Sequence, residues 1–175
     1  MESLGIVLRE DGTGAVYEIV TELMYMTDKG INIGGFDFGS EFVDYDGTNF
    51  VIDVEGTHLL TMKRIDGGDP ASYYGEYQIT DGEFLSQIAA GMSTNAAVDK
   101  SDLTVVADFE KDYTELLFED MFTYTADDSK ITMDGNLMFI AGTDSGQATV
   151  DYTISGDDLT ITAANGVKTE LHRYK

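Results

Sequence analysis

The chain has 175 residues, of which 33 are Asp or Glu and 10 are Lys or Arg, for a formal net charge of −23 with neutral histidines. A surface this negative repels phosphate backbones and anionic lipid headgroups, which argues against nucleic-acid or membrane-surface binding. The absence of cysteine removes disulfides, thiolate metal sites and cysteine nucleophiles, and no apolar run is long enough to cross a bilayer as a helix.

The 19 glycines and the single proline, Pro70, suit short strands joined by tight turns, so an all-β chain is expected. Leu4–Leu8 is a short apolar strand ended by Glu10-Asp11-Gly12-Thr13-Gly14, a hairpin turn in which glycine supplies positive φ. Ala15–Val20 and Leu23–Met26 follow, then the Thr27–Gly30 turn, a strand through Ile31 and Ile33, and another over Gly39–Tyr45. Asp46-Gly47 precedes the clean alternation of Phe50, Ile52 and Val54, and Glu55-Gly56 turns the chain into His58–Ile65. Asp66-Gly67-Gly68-Asp69-Pro70 reads as a linker. Tyr73–Ile79 is an aromatic strand whose Gly75 leaves room for a backbone or a large ring to approach. In Asp81–Met92 the period changes: Phe84, Leu85, Ile88 and Met92 recur at helical spacing, with Asp81 as the expected N-cap. After a polar loop over Ser93–Lys100 the strands resume at Leu103–Phe109, Tyr113–Phe118, Met121–Thr125, Lys130–Met133, Leu137–Ile140, Ala148–Ile154, Leu159–Thr162 and Val167–Tyr174. Acidic turns separate most of them.

The chain also repeats. Tyr45–Arg64 aligns without a gap on Ile154–Arg173, setting Gly47 on Gly156, Phe50 on Leu159, Ile52 on Ile161, Met62 on Leu171 and Arg64 on Arg173. Only three of the twenty positions are identical, so the signal is the spacing of turn and apolar residues. The expected organisation is a first unit over 1–66, lacking a leading strand and helix, and a complete second unit over 71–175. A unit short of a strand exposes an edge, to be completed by residues 70–80 or by a strand-mediated homodimer.

The Gly75-Glu76-Tyr77 opening strand, the helix after it, the Glu10–Gly14 turn and the hairpins ending in Lys63-Arg64 and His172-Arg173 together resemble the small lipocalin-like β-barrel domains of exported and lipid-anchored proteins of Gram-positive gut bacteria. The resemblance implies two related antiparallel barrel or half-barrel units, hollow enough for a ligand or filled by their own side chains. It also implies an extracellular or envelope-attached location, with a cytoplasmic one as the alternative; MESLGIVL reads as an entry into the middle of a domain.

Chemistry-bearing residues are sparse. His58 and His172 have no nucleophile-elbow spacing beside them and read as strand-face histidines. The pairs Asp44/Asp46, Asp127/Asp128 and Asp157/Asp158 lack an EF-hand spacing and read as turn formers. Gly30–Gly39 lacks the ending of a phosphate loop. No catalytic residue, metal ligand or cofactor is assigned. The expected function is non-catalytic binding of a small apolar ligand or a protein partner, with Tyr73, Tyr77, Phe118, Tyr124, Met133 and Phe139 as the candidate ligand-binding set. A structural domain with filled barrels is the alternative, and a carboxylate-dependent hydrolase ranks last.

Overall fold

The structure, a computed structural model, describes residues 4–66, 68–92, 99–137, 146–163 and 166–172. Along the chain lie β1 (Leu4–Leu8), β2 (Thr13–Ile19), β3 (Met24–Thr27), β4 (Gly30–Ile33), β5 (Phe36–Phe38), β6 (Val43–Tyr45), β7 (Asn49–Val54) and β8 (Thr57–Arg64). Then come β9 (Gly75–Asp81), α1 (Glu83–Gly91), β10 (Thr104–Phe109), β11 (Thr114–Ala126), β12 (Lys130–Gly135), β13 (Gln147–Ser155), β14 (Asp158–Thr162) and β15 (Lys168–His172). Among the described residues the protein is all-β but for one short helix and a 3₁₀ turn, with twelve strands in one sheet and three in another.

Two compact units divide the chain, one of residues 1–4 and 16–119, the other of residues 5–15 and 120–175. In the first, the strand order β11-β10-β9-β8-β7-β6 ends on the three-residue edge β6, and β3-β4-β5 pair only among themselves. Even-numbered residues of β7 and β8 and odd-numbered residues of β9 and β10 share one face, as the two-residue period of a strand requires. A cross-strand row Phe50–Met62–Ile79–Val105–Phe118 results. The first four are at most 1% exposed and Phe118 is 3% exposed, which makes this row the core. The helix α1 packs on β8 and β9, burying Leu85 and Ala89.

In the second unit the order is β15-β14-β13-β12-β11, and β2, hairpinned to β1, pairs with β11. The β1–β2 turn forms as expected: Asp11 accepts from the Thr13 amide at 2.9 Å and its hydroxyl at 2.7 Å, and Gly12 has φ 84°. Gly14 is required because a Cβ there would fall 2.2 Å from the Phe122 ring.

The barrels are overturned. In the first unit β3-β4-β5 form a sheet of their own, and β6, the last strand on the path of the main sheet, pairs only with β7 among the described residues and remains an edge. In the second, β13 and β15 are largely solvent-exposed, and Ile161 is the one buried residue of β14. A hairpin so weakly buried has no core to curl around. Both repeated hairpins are present, however, with Phe50 opposite Met62 and Leu159 opposite Leu171. The pairing of β9 with β8, Arg64 opposite Tyr77, adds residues 75–81 to the sheet, but β6 has no partner on its outer side among the described residues, so the first unit keeps an open edge.

Three local expectations also change. The segments 113–118 and 121–125 are one strand, β11, continuing through Asp120 at φ 52°. Gly34 and Gly35, at φ 60° and 87°, turn β4 into β5, and Gly39–Phe42 is a turn rather than strand, closed by the Phe42 amide on the Gly39 carbonyl. The N-cap of α1 is Gly82 at φ 112°, while the Asp81 carboxylate accepts from the Gly82 amide and from Lys100. A Cβ at residue 82 would lie 2.4 Å from the Leu59 carbonyl oxygen, so only glycine brings the helix this close to β8.

Candidate functional site

The alternation that buries Leu60 and Met62 points Arg64 inward as well, and its side chain is only 5% exposed. A buried guanidinium needs acceptors for its donors. The Nη2 group finds four: Ser72 O at 2.5 Å, Tyr77 Oη at 2.7 Å, Tyr45 Oη at 2.9 Å and Tyr74 O at 3.1 Å. Its two protons are shared among them. Nη1 donates to Asp66 at 3.2 Å, the guanidinium lies 4.9 Å from the Tyr77 ring centroid, and Nε has no partner among the described residues. Burial opposes the charge on Arg64, but the bond to Tyr45 and the proximity of Tyr77 and Asp66 outweigh it and raise its pKa. Burial likewise pushes the Tyr77 hydroxyl well above its usual range, against the pull of Arg64.

Arg64 thereby fixes the loop between β8 and β9. Tyr45 donates to Ser72 O at 3.2 Å, and Tyr77 donates to Tyr73 O at 2.9 Å. The close approach expected at Gly75 is made by this guanidinium: a Cβ there would stand 2.6 Å from Arg64 Nη1. The segment read as a linker supplies Asp66 to Arg64, and its continuation forms the wall of a cleft of about 760 Å³. Tyr45, Tyr73 and Tyr74 line the cleft together with Asp28, Asp46 and Asp69. The Tyr45 and Tyr73 rings meet edge to face, 5.2 Å apart at 78°, and Phe50 packs perpendicular to Tyr73 at 5.5 Å. Asp46 accepts from the Thr48 and Asn49 amides and from Asn49 Nδ2, which holds its pKa below the usual carboxylate range.

Among the sequence-derived candidates, Tyr73 lines this cleft and Tyr77 supports it from the core. Phe118 is buried in the core row. Tyr124 and Met133 are cross-strand partners in the second unit, where the Tyr124 hydroxyl donates to Arg9 O at 2.7 Å. Phe139 lies outside the described residues. Sequence reading missed Arg64, Tyr45 and Tyr74. The signal for Arg64 was present, since it continues the inward alternation of Leu60 and Met62.

Two other constellations bear on chemistry. His58 Nδ1 lies 2.7 Å from Asp53 and its Nε2 lies 2.9 Å from the Thr61 hydroxyl, the connectivity of an acid, a base and an alcohol. Asp53 is 63% exposed, so solvent screens its charge, and the set lies on an open strand face rather than in a cleft. His172 pairs with Asp158 at 2.7 Å on a similarly exposed hairpin. On β9, β10 and β11, Glu76, Asp108 and Glu115 stand directly opposite one another. Burial, then neighbouring carboxylates, raises the pKa of all three. Among the described residues no group of three or more His, Asp or Glu side chains is arranged to hold a metal ion, and no helix is long and apolar enough to cross a membrane.

With its sheets open, the chain loses the basis for the lipocalin-like resemblance, which is withdrawn. Compared with known proteins, the chain matches no family model, no curated protein and no solved structure.

Proposed function

We propose that the protein is a non-catalytic binding module whose recognition site is the tyrosine-walled cleft beside the β8–β9 loop. The observation that carries this reading is the way Arg64 holds the cleft in shape. One buried guanidinium fixes Tyr45 and the carbonyls of Ser72 and Tyr74, so the walls are set before a ligand arrives. Preorganisation of this kind removes an ordering cost from binding. A volume of about 760 Å³ suits a small molecule or one side chain of a partner. The aspartates along its lining favour a ligand with a polar or charged head over a wholly apolar one. The expected extracellular or envelope location rested on the withdrawn resemblance and forms no part of this reading.

Thermal-shift screening of anionic, neutral and cationic small molecules against the wild type and Tyr73→Leu tests the proposal. A cleft ligand raises the wild-type midpoint by mass action and leaves the variant's unchanged. Hits that shift both proteins equally, or no hits at all, count against it.

A second reading, an interaction domain, draws on the edges. Among the described residues β6 and β15 each pair on one side only, and such edges accept a strand from a partner or a second copy. Sedimentation of the wild type and of a Glu170→Pro variant, which removes an outward-facing amide from the β15 edge, tests it; a wild type that stays monomeric at high concentration argues against a homodimer.

A further inference from the structure

We infer that the ligand group held in this cleft is an alkylammonium, either that of a free organic amine or that of a lysine side chain. This rests on the cleft reading above and goes on to name its chemistry. Tyr45 and Tyr73 meet at 78°, so they form two walls of a corner rather than a flat stacking platform. A flat platform suits a sugar ring or a nucleobase. A corner of aromatic faces suits a compact cation, which the negative face of each ring attracts.

The charges agree. Asp28, Asp46 and Asp69 line the cleft, and no Lys, Arg or His does. Asp46 is fixed by the amides of its own turn, and Asp69 accepts from the Ala71 amide at 2.9 Å, so both carboxylates are held in place. Asp28 makes no hydrogen bond or ion pair with any described residue, which leaves its carboxylate for a ligand. The one nearby cation, Arg64, cannot serve as an anion receptor. Its Nη2 protons are spent on Ser72, Tyr74, Tyr45 and Tyr77, and its charge is paired with Asp66. The net charge of −23 draws cations toward the whole surface and repels anions. An alkylammonium is favoured over a metal ion because the walls are rings rather than converging oxygens.

Calorimetric titration with choline and with its neutral isostere 3,3-dimethyl-1-butanol isolates the charge, since the two differ in size hardly at all. A second arm compares Nα-acetyl-lysine amide with its Nε-acetylated form and separates a side-chain source from a free amine. The cations should bind at least tenfold more tightly than their neutral counterparts, and their affinity should fall as salt rises. Tyr73→Leu and Asp28→Asn should each weaken cation binding at least fivefold, while Tyr73→Phe, which keeps the ring, should not. Asp28 is exposed, so its variant folds as the wild type does. Equal binding of choline and its isostere, still lost in Tyr73→Leu, would overturn the ammonium and leave the cleft reading standing. If no compound of either charge binds in a Tyr73-dependent way, both fall.

Discussion

Arg64 does its work with donors, and its replacement should show how much of the first unit depends on them. Arg64→Ala leaves two tyrosine hydroxyls and two carbonyls to find new partners, and hydrogen bonds to a charged group contribute about 1.5–3 kcal/mol. The expected loss in urea unfolding is about 3 kcal/mol. Arg64→Lys keeps the charge without the fork and should recover less than half of it. The carboxylate row on β9–β11 acts in the opposite direction. Like charges directly opposite on a sheet are unfavourable, so Asp108→Asn should stabilise the protein by about 0.5 kcal/mol at pH 7. The pH dependence follows from the raised pKa of Asp108. Its penalty is fully present above that folded pKa and relieved as pH falls through it toward the usual 3.8. The advantage of the Asn variant should therefore fade as unfolding is measured at successively lower pH, and an advantage that grows instead would refute the account. His58 belongs here too. Exposed and outside the cleft, it should support no turnover, and His58→Ala should hydrolyse p-nitrophenyl acetate no more slowly than the wild type.

The turns and the helix entry carry the next tests. Glu55 at φ 49° and Gly56 at φ 84° make the two-residue turn joining β7 to β8. A non-glycine residue in this conformation costs about 1 kcal/mol, less for Asn, so Glu55→Asn should raise stability by about 0.5 kcal/mol. Gly82→Ala should be severely destabilising, because the Leu59 carbonyl occupies the space for its Cβ; a melting temperature within a degree of wild type would contradict the close packing of α1 on β8. These elements also show what was legible beforehand. Period-two alternation and Asp-Gly turns are local, so Phe50, Ile52, Met62 and both copies of the hairpin could be read from sequence. Closure was not legible, because whether β6 meets another strand is decided by where the chain goes between β2 and β6. Nor was the cleft, which joins residues 28, 46 and 69–74 through one arginine. The division of the chain at 66–71 rests on the repeat, and we propose it as one of ancestry; the compact units are drawn along other lines.

For the whole molecule the dominant quantity is charge. At −23 the folded chain repels itself, and salt screens that repulsion. Thermal midpoints should rise steadily from low salt to about 0.5 M sodium chloride, a range over which the Debye length falls below 10 Å. The same screening should weaken cation binding, so stability and affinity are expected to move in opposite directions with salt. The most direct test of the central claim, that the Arg64-braced cleft is the ligand site, is an amide chemical-shift titration of the isotopically labelled protein with choline. The account predicts saturable shifts confined to residues around Asp28, Tyr45–Gly47 and Ala71–Tyr74. Shifts clustered elsewhere, or none with either choline or 3,3-dimethyl-1-butanol at millimolar concentration, would contradict it.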